Sequence, residues 1–511
     1  MAINMEQFLT ENFGYREFRI GQREVIESVL KGNDVVAILP TGAGKTLCYH
    51  YPAKIIKGLT IVVSPLLSLM EDQVHQLRAK GDKNVVQLNG LLSFNEKMNV
   101  LHSLHEQSIL FISPEMLMNE RVLQRLSHIH VGLFVIDEAH CISQWGHEFR
   151  TDYLRLSNIK QMLHHPPCLA VTATATKQVE EDIINKLALS SPIVHRFSVN
   201  RQEIKFVFEE VKTSKHKMER LYELLETLQK PTIIYTATRK EAEELSEDLR
   251  IKGTDDVAYY HGGMTKEDRL LVQHQFIKDE VSVICCTNAF GMGINKPNIR
   301  TVIHLNIPVS LEQYVQEVGR AGRDNDNAVA LLLHCKEDRR VPLSFIDMEY
   351  PEDQELKSWF SLLHHYSREH GPFVKVDNIK HHFIDNETKW RMFLYYLEIS
   401  NVLHDNGDIN VNLINEVLLN KLQSYFHARK KMKKTKFYYF QELLKRDSCI
   451  RKEILKYFNE SLTSKTSPCC SSCGLHVSSI FNSKKKNAIQ ELKKGTWQEE
   501  LDRILLTFTE V

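Results

Sequence analysis

The segment Pro40-Thr41-Gly42-Ala43-Gly44-Lys45-Thr46 follows the apolar run Val35 to Leu39. Glycines there let consecutive backbone N–H groups curl around phosphate oxygens at the positive end of the helix that follows. In that frame Thr41, Gly42, Ala43 and Gly44 cradle a polyphosphate, Lys45 reaches its terminal groups and Thr46 offers a hydroxyl to Mg²⁺. The full pattern places another glycine where this chain has Leu39. About 90 residues further on, Leu133 to Ile136 runs into Asp137-Glu138-Ala139-His140. A carboxylate at a strand's carboxyl end can hold Mg²⁺, so Asp137 takes that role and Glu138 orients or deprotonates an attacking water. Far along the chain, Arg320 and Arg323 stand three apart in Gln313 to Asp324 and, on a helix, share a face. Facing a nucleotide held elsewhere, they would neutralise charge on a transferred phosphoryl group. A last group, Cys449, Cys469, Cys470 and Cys473, falls within 25 residues, and in a chain read as intracellular such a cluster favours a metal over disulfides.

Elements that could position these residues follow from periodicity. In the first third, Val35 to Leu39, Thr60 to Ser64, Ile109 to Ser113, Leu133 to Ile136 and Cys168 to Thr172 read as buried strands. Amphipathic segments such as Ser68 to Ala79 and Asn95 to His105 lie between them, which predicts a parallel sheet covered on both faces. The alternation restarts near residue 200 with Thr232 to Tyr235, Val257 to Tyr260, Ser282 to Cys286, Thr301 to Leu305 and Ala328 to Leu333. Beyond about residue 340 helical spacing takes over in Glu355 to His365, Lys389 to Ser400 and Glu416 to Lys431, followed by Phe437 to Arg446. The expected division is therefore an α/β lobe over 1–200, a second over 201–340, a helical region with the cysteine cluster over 341–478, and a short basic tail over 479–511.

Composition bounds the rest. The chain has 511 residues with 65 basic and 65 acidic, and 42% apolar content, which suits roughly three globular domains. No apolar run reaches 18 residues, and the amino terminus has neither a basic start nor an apolar core, so the expectation is a soluble, cytoplasmic protein without a membrane partner. Zero net charge conceals an asymmetry: Lys421 to Glu500 carries 18 Lys or Arg against 7 Asp or Glu, a balance that hints at a polyanion.

In this order the blocks resemble the RecQ family of superfamily 2 DNA helicases, from about Phe13 to about His476. The resemblance implies two RecA-like lobes of the P-loop NTPase type followed by a helical zinc-binding module. It also implies ATP as the nucleotide and single-stranded and forked DNA as partners, with movement 3′ to 5′. Phe13 to Gln22 is similar to the family's adenine-reading segment; by that match Tyr15 and Arg19 sandwich the base and Gln22 hydrogen-bonds its edge, a chemically sensible set. Cys141 to Arg150 resembles the aromatic-rich loop that senses DNA, in which Trp145 and Phe149 offer stacking faces and Arg150 a charged partner. Thr151 stands where the family usually has proline. Ser64 to Gln73 suits a DNA phosphate through the Ser64 hydroxyl and a helix start. Thr172 to Ala175, Thr236 to Arg239, Tyr260 to Gly263 and Thr287 to Lys296 match further family blocks.

The cysteines fall where the family carries Zn²⁺. Cys449, Cys470 and Cys473 are three ligands in that reading, and either Cys469 or His476 is the fourth. A four-coordinate site is structural, so losing a thiolate is expected to unfold the module rather than slow chemistry at the nucleotide. Only 35 residues follow His476, which implies a short form lacking the winged helix and terminal helical nucleic-acid domain of larger relatives. The helical region, with Lys430, Lys431, Lys433 and Lys434, is then another place for a duplex contact. A translocase or RNA-directed ATPase that does not unwind DNA is the alternative activity, and a decayed scaffold a third. A single-stranded DNA-binding protein, DNA repair and nucleoid association in a bacterium follow from the resemblance alone.

Overall fold

A computed structural model describes residues 4–65, 67–143, 150–290, 296–382, 387–404, 407–462, 468–476 and 480. The first lobe is a seven-stranded sheet, all its pairs parallel. Its strands are β1 Val35–Ile38, β2 Leu59–Val63, β3 Val85–Leu88, β4 Ile109–Ile112, β5 Val131–Ile136, β6 Cys168–Thr172 and β7 Ile193–Arg196, in the order β3-β4-β2-β5-β6-β1-β7. Every residue of β1, β2, β4, β5 and β6 is buried, because helices cover both faces and a strand in that position has no polar side. The uniform apolar runs expected from sequence are these five central strands. The edge strands β3 and β7 carry polar or exposed residues and lack that signal.

The second lobe repeats the plan with six parallel strands in the order β10-β11-β9-β12-β13-β8. They are β8 Ile204–Glu210, β9 Thr232–Tyr235, β10 Val257–Tyr260, β11 Val283–Cys286, β12 Thr301–His304 and β13 Ala328–His334. Helix Arg239–Ile251 starts on a capping box in which Thr238 and Glu241 exchange hydrogen bonds. Helix Leu311–Val318 starts on Ser310, whose hydroxyl accepts from the Gln313 amide.

Between the second lobe and the cysteine cluster lie helix Asp353–His370, strand β14 Phe373–Lys375, helices Val376–Ile379 and Glu387–Ile399, and strand β15 Asp408–Asn410. β14 pairs antiparallel with β15, and Leu403 bridges to Ile409 on its other side. Helix, strand, two helices and a two-stranded sheet extended by one bridge follow winged-helix connectivity. The unit lies ahead of the cysteines, which corrects the expectation of a form without a winged helix, drawn only from the residues after them. Its core is built on Phe360, Trp390, Phe393 and Leu397, and it also takes Leu418, Leu422 and Phe426 from the helix that follows. The helix that follows is one 29-residue element, Glu416–Leu444, so the two segments expected there are continuous.

Three lysines of that helix answer the expected duplex contact differently. Lys430 and Lys434 pair with Asp347, and Lys433 with Glu349, on the preceding helix Arg340–Glu349. Their charge is spent within the protein, which sequence spacing could not show because the acids lie some 85 residues upstream. Among the described residues no helix is long and apolar enough to cross a membrane.

Candidate active site

The phosphate loop joins β1 to helix Leu47–Ala53. Gly42 and Gly44 take φ of +85° and +74°, a left-handed backbone that side chains disfavour, which is why glycine stands at both. Lys45 Nζ lies 3.0 Å from Glu138 Oε1, and both are largely buried. Glu138 itself has φ of +47°, so the turn after β5 holds its side chain in an uncommon geometry. Burial pushes the Asp137 carboxyl up to about 6 against the pull of Lys45. Burial acts the same way on Glu138, but Lys45 and His140 outweigh it and hold that carboxyl below its usual range. His140 Nδ1 lies 2.9 Å from Thr172 Oγ1 and 3.3 Å from Glu138 Oε2, so the acidic turn is tied directly to the end of β6.

Across the cleft, Arg320 and Arg323 do not sit on one helix face. The helix ends at Val318, and both arginines occupy the turns after it. Gly322 at φ +60° folds that chain back, and the two guanidiniums converge through the turn rather than through helical spacing. Arg320 Nε donates to the Tyr235 hydroxyl at 3.0 Å. Burial, reinforced by Arg320 and Arg201, pulls Arg323 down to about 9, the mark of a cation crowded by others and suited to a polyanion.

Tyr15, Arg19, Gln22, Thr41, Gly42, Gly44, Lys45, Thr46, Asp137, Glu138, Arg320 and Arg323 all line one cavity of about 400 Å³. Arg19 Nη1 donates to Gly42 O at 2.7 Å, and Gln22 Nε2 to Ala43 O and Gly44 O at 2.8 and 3.0 Å. These two side chains therefore brace the phosphate loop as well as facing the place expected for a base. Tyr15 is 44% exposed at the rim, with its hydroxyl 3.1 Å from Lys80 Nζ. The oxygen donors Thr46 and Asp137 fit Mg²⁺, a hard cation that takes oxygen ligands. Sequence reasoning missed Gln73, whose amide exchanges hydrogen bonds with the Thr46 hydroxyl at 3.0–3.1 Å, although it closes the quoted block Ser64 to Gln73.

Of the expected DNA contacts, Ser64 is 1% exposed at the end of β2, with its hydroxyl turned inward and unpaired among the described residues. Outward display of that hydroxyl is thus corrected: the buried strand end carries it into the core. Arg150 is half-buried, and its amide donates to Cys141 O at 2.9 Å. Trp145 and Phe149 lie outside the described residues, as do Gly291 to Asn295.

The four cysteine sulfurs lie within 4.8 Å of one another. Cys449 Sγ is 3.5 Å from Cys469 Sγ and 3.8 Å from Cys470 Sγ, and Cys469 Sγ is 4.0 Å from Cys473 Sγ. A tetrahedron with Zn–S of about 2.3 Å has edges of about 3.8 Å, so this spacing fits four thiolates around one ion and is far too long for disulfides. Cys469 belongs to the cluster and His476, exposed on the surface, does not. The run Cys469–Cys473 also docks on the second lobe: Phe206 pairs with Cys470, and the Phe208 amide donates to Ser471 Oγ at 3.2 Å.

Comparison with known proteins agrees with this construction. Residues 19–182 match the DEAD/DEAH box helicase family and residues 216–325 the helicase conserved C-terminal domain. The probable ATP-dependent DNA helicase RecS of Bacillus subtilis (strain 168) is 40% identical over 98% of this chain and 97% of its own. The ATP-dependent DNA helicase RecQ of Pasteurella multocida is 44% identical over 63% of this chain, and the match spans about half, 51%, of that relative. The helicase Lhr of Mycobacterium smegmatis, solved with single-stranded DNA and AMP-PNP, superposes with a TM-score of 0.55 at 19% identity, over 67% of this chain and 48% of its own; it supports the fold. Phosphate loop, acidic turn and arginines in one cleft between two parallel sheets, together with a relative matched end to end, place the chain in the RecQ-type ATP-dependent DNA helicases of superfamily 2.

Proposed function

We propose that this protein couples Mg-ATP hydrolysis between its lobes to 3′–5′ movement on single-stranded DNA and to unwinding of forked duplexes in DNA repair or recombination. The observation that carries the reading is the single cavity in which Lys45, Asp137 and Glu138 of one lobe face Arg320 and Arg323 of the other.

Lys45 is paired with Glu138, and a triphosphate entering the cradle competes for that ammonium. Once Lys45 turns to the phosphates, Glu138 loses the partner that depresses its basicity and is free to take a proton from water. His140, still beside Glu138, carries the change to Thr172 on β6. Thr46 and Asp137 would hold Mg²⁺, which neutralises phosphate charge when bound. Arg320 and Arg323 offset the charge that develops as the terminal phosphoryl leaves, and they reach it only with the lobes together. Hydrolysis and release then favour lobe opening, and alternation of the two states moves the grip along the strand.

Tyr15, Arg19 and Gln22 are assigned to adenine, and Trp145, Phe149 and Arg150 to single-stranded DNA. The cysteine cluster is assigned to one structural Zn²⁺. The winged-helix unit, with Lys357, Arg368, Lys375 and Lys380 exposed, is assigned the duplex contact in place of the paired lysines of the long helix. A single-stranded DNA-binding protein as partner, and a cytoplasmic or nucleoid setting, complete the reading.

The test is ATP turnover with no nucleic acid, with single-stranded DNA and with single-stranded RNA, beside Lys45→Ala. Strong stimulation by DNA, absent in the variant and weak with RNA, supports the proposal. Equal or greater stimulation by RNA moves the RNA-directed alternative ahead, and no turnover under any condition ends the enzyme reading.

A further inference from the structure

Arg201 stands between β7 and β8, where the chain crosses from one sheet to the other. A guanidinium has five N–H donors, and here all five have acceptors. Nη1 donates to Thr41 O at 2.7 Å and to Gly319 O at 3.1 Å. Nη2 donates to Ala321 O at 3.0 Å and Gly322 O at 2.8 Å, and Nε to Glu203. One side chain thus grips the phosphate loop of the first lobe and the turn of the second lobe that carries Arg320 and Arg323. The surfaces it joins touch closely, since a Cβ at Gly319 would collide with Thr41 Oγ1.

The crossing segment is itself held from behind. Arg451, 2% exposed, lies on helix Ile450–Tyr457, which begins directly after Cys449. Its Nη1 donates to Asn200 Oδ1 at 2.7 Å and to Arg201 O at 2.6 Å, its Nη2 donates to Ile204 O, and its guanidinium carbon lies 5.0 Å from the centre of the Phe206 ring. Glu460, just beyond that helix, accepts from the Val199 amide at 3.1 Å and from the Ser198 hydroxyl.

We propose that Arg201 is a positioning residue that sets the spacing between the phosphate loop and the arginine turn, and that Arg451 sets Arg201, so that the cysteine module acts on hydrolysis through two guanidiniums in series. The proposal rests on the reading of the cleft as the ATPase site. Neither side chain needs to touch the nucleotide. A displacement of about 1 Å in a catalytic constellation can cost about 100-fold in rate, which is the scale expected when four carbonyl anchors across a cleft are lost.

The test uses the full chain carrying Arg201→Met, Arg201→Lys, Arg451→Met and the double methionine variant. DNA-stimulated kcat and KM are measured beside binding of a fluorescent ATP analogue and thermal melting. Arg201→Met should lower kcat about 30- to 100-fold while KM and analogue affinity change less than about threefold. Arg201→Lys should recover little, because an ammonium cannot span four carbonyls. Arg451→Met should lower kcat about 5- to 10-fold, and the double variant should be no slower than Arg201→Met, since two residues acting in series are not additive.

Unchanged kcat in Arg201→Met, a loss confined to KM, or a double variant slower by the product of the singles would overturn the proposal. If Arg451→Met melts early, Arg451→Lys read by the same kcat-to-KM split decides the second half. Absence of DNA-stimulated turnover in the unaltered protein would instead overturn the ATPase reading itself.

Discussion

Two additions to the paired lobes differ in how they are attached. The cysteine module has no core of its own: Phe437, Phe440, Ile450, Ile454, Leu455, Cys469 and Cys470 belong to the same apolar cluster as Ile204, Phe206, Tyr314 and Val318 of the second lobe. It also pins helix Leu311–Val318, which leads into the arginine turn, with Lys436 paired to Glu312 and the Tyr457 hydroxyl 2.7 Å from the same carboxylate. The winged-helix unit packs on a different cluster and meets the first lobe through polar contacts such as Arg155 with Glu398. The long helix links it to the module, giving Leu418, Leu422 and Phe426 to one cluster and Phe437 and Phe440 to the other. A close-packed shared core transmits displacement more directly than two cores joined by one helix and half-exposed ion pairs. Damage to the module should therefore reach the nucleotide, and damage to the winged-helix unit should stay local.

The largest effect that bounds this contrast is expected at the chemistry itself. Arg323→Ala should lower DNA-stimulated kcat by about 10²–10³-fold with nucleotide binding retained, read by steady-state turnover and analogue titration. Next comes the module: Cys470→Ser should abolish bound zinc, measured by elemental analysis, and lower both the melting temperature and kcat. The sequence alone suggested a purely structural loss there, and the shared core is the reason to expect more.

The sharpest comparison is Phe440→Ala against Phe393→Ala, two wholly buried rings in the two cores. Each should cost about 3–5 kcal/mol of local stability, but only Phe440→Ala should depress kcat. Equal losses of kcat would erase the distinction. Smaller still, the double change Lys375→Glu with Lys380→Glu should weaken forked-duplex binding about three- to tenfold and flatten its salt dependence, leaving turnover on single-stranded DNA intact. Lys430→Ala should change duplex affinity by less than about twofold and stability by less than about 1 kcal/mol, because its partner Asp347 is a half-exposed surface acid.

The legible part of the molecule was the part governed by short-range rules. The five central strands of the first lobe announced themselves as unbroken apolar runs, whereas β3, Val-Val-Gln-Leu, and β7, Ile-Val-His-Arg, lie at edges where partial exposure dilutes the pattern. β14 and β15 are three residues each, too short for any period to register. Within the cleft, Lys45 and Glu138 could be named from local motifs, but Gln73 and Arg201 could not. An amide inside a helix and a lone arginine in a connection carry no chemical signature until folding brings Thr46 or Thr41 beside them.

What the sequence determined by itself was the chemistry on offer: glycines that permit a left-handed phosphate loop, carboxylates at the end of a buried strand, two arginines, and four clustered thiols. These are written in neighbouring residues because backbone conformation and strand burial are set locally. Tertiary structure alone decided which groups meet. It placed Cys469 rather than His476 in the sulfur cluster, drew Arg320 and Arg323 together through a turn instead of a helix, and neutralised Lys430, Lys433 and Lys434 against Asp347 and Glu349. Each of these outcomes depends on distances of a few ångströms between residues remote or unordered in the chain, and only the packing of sheets and helices sets such distances.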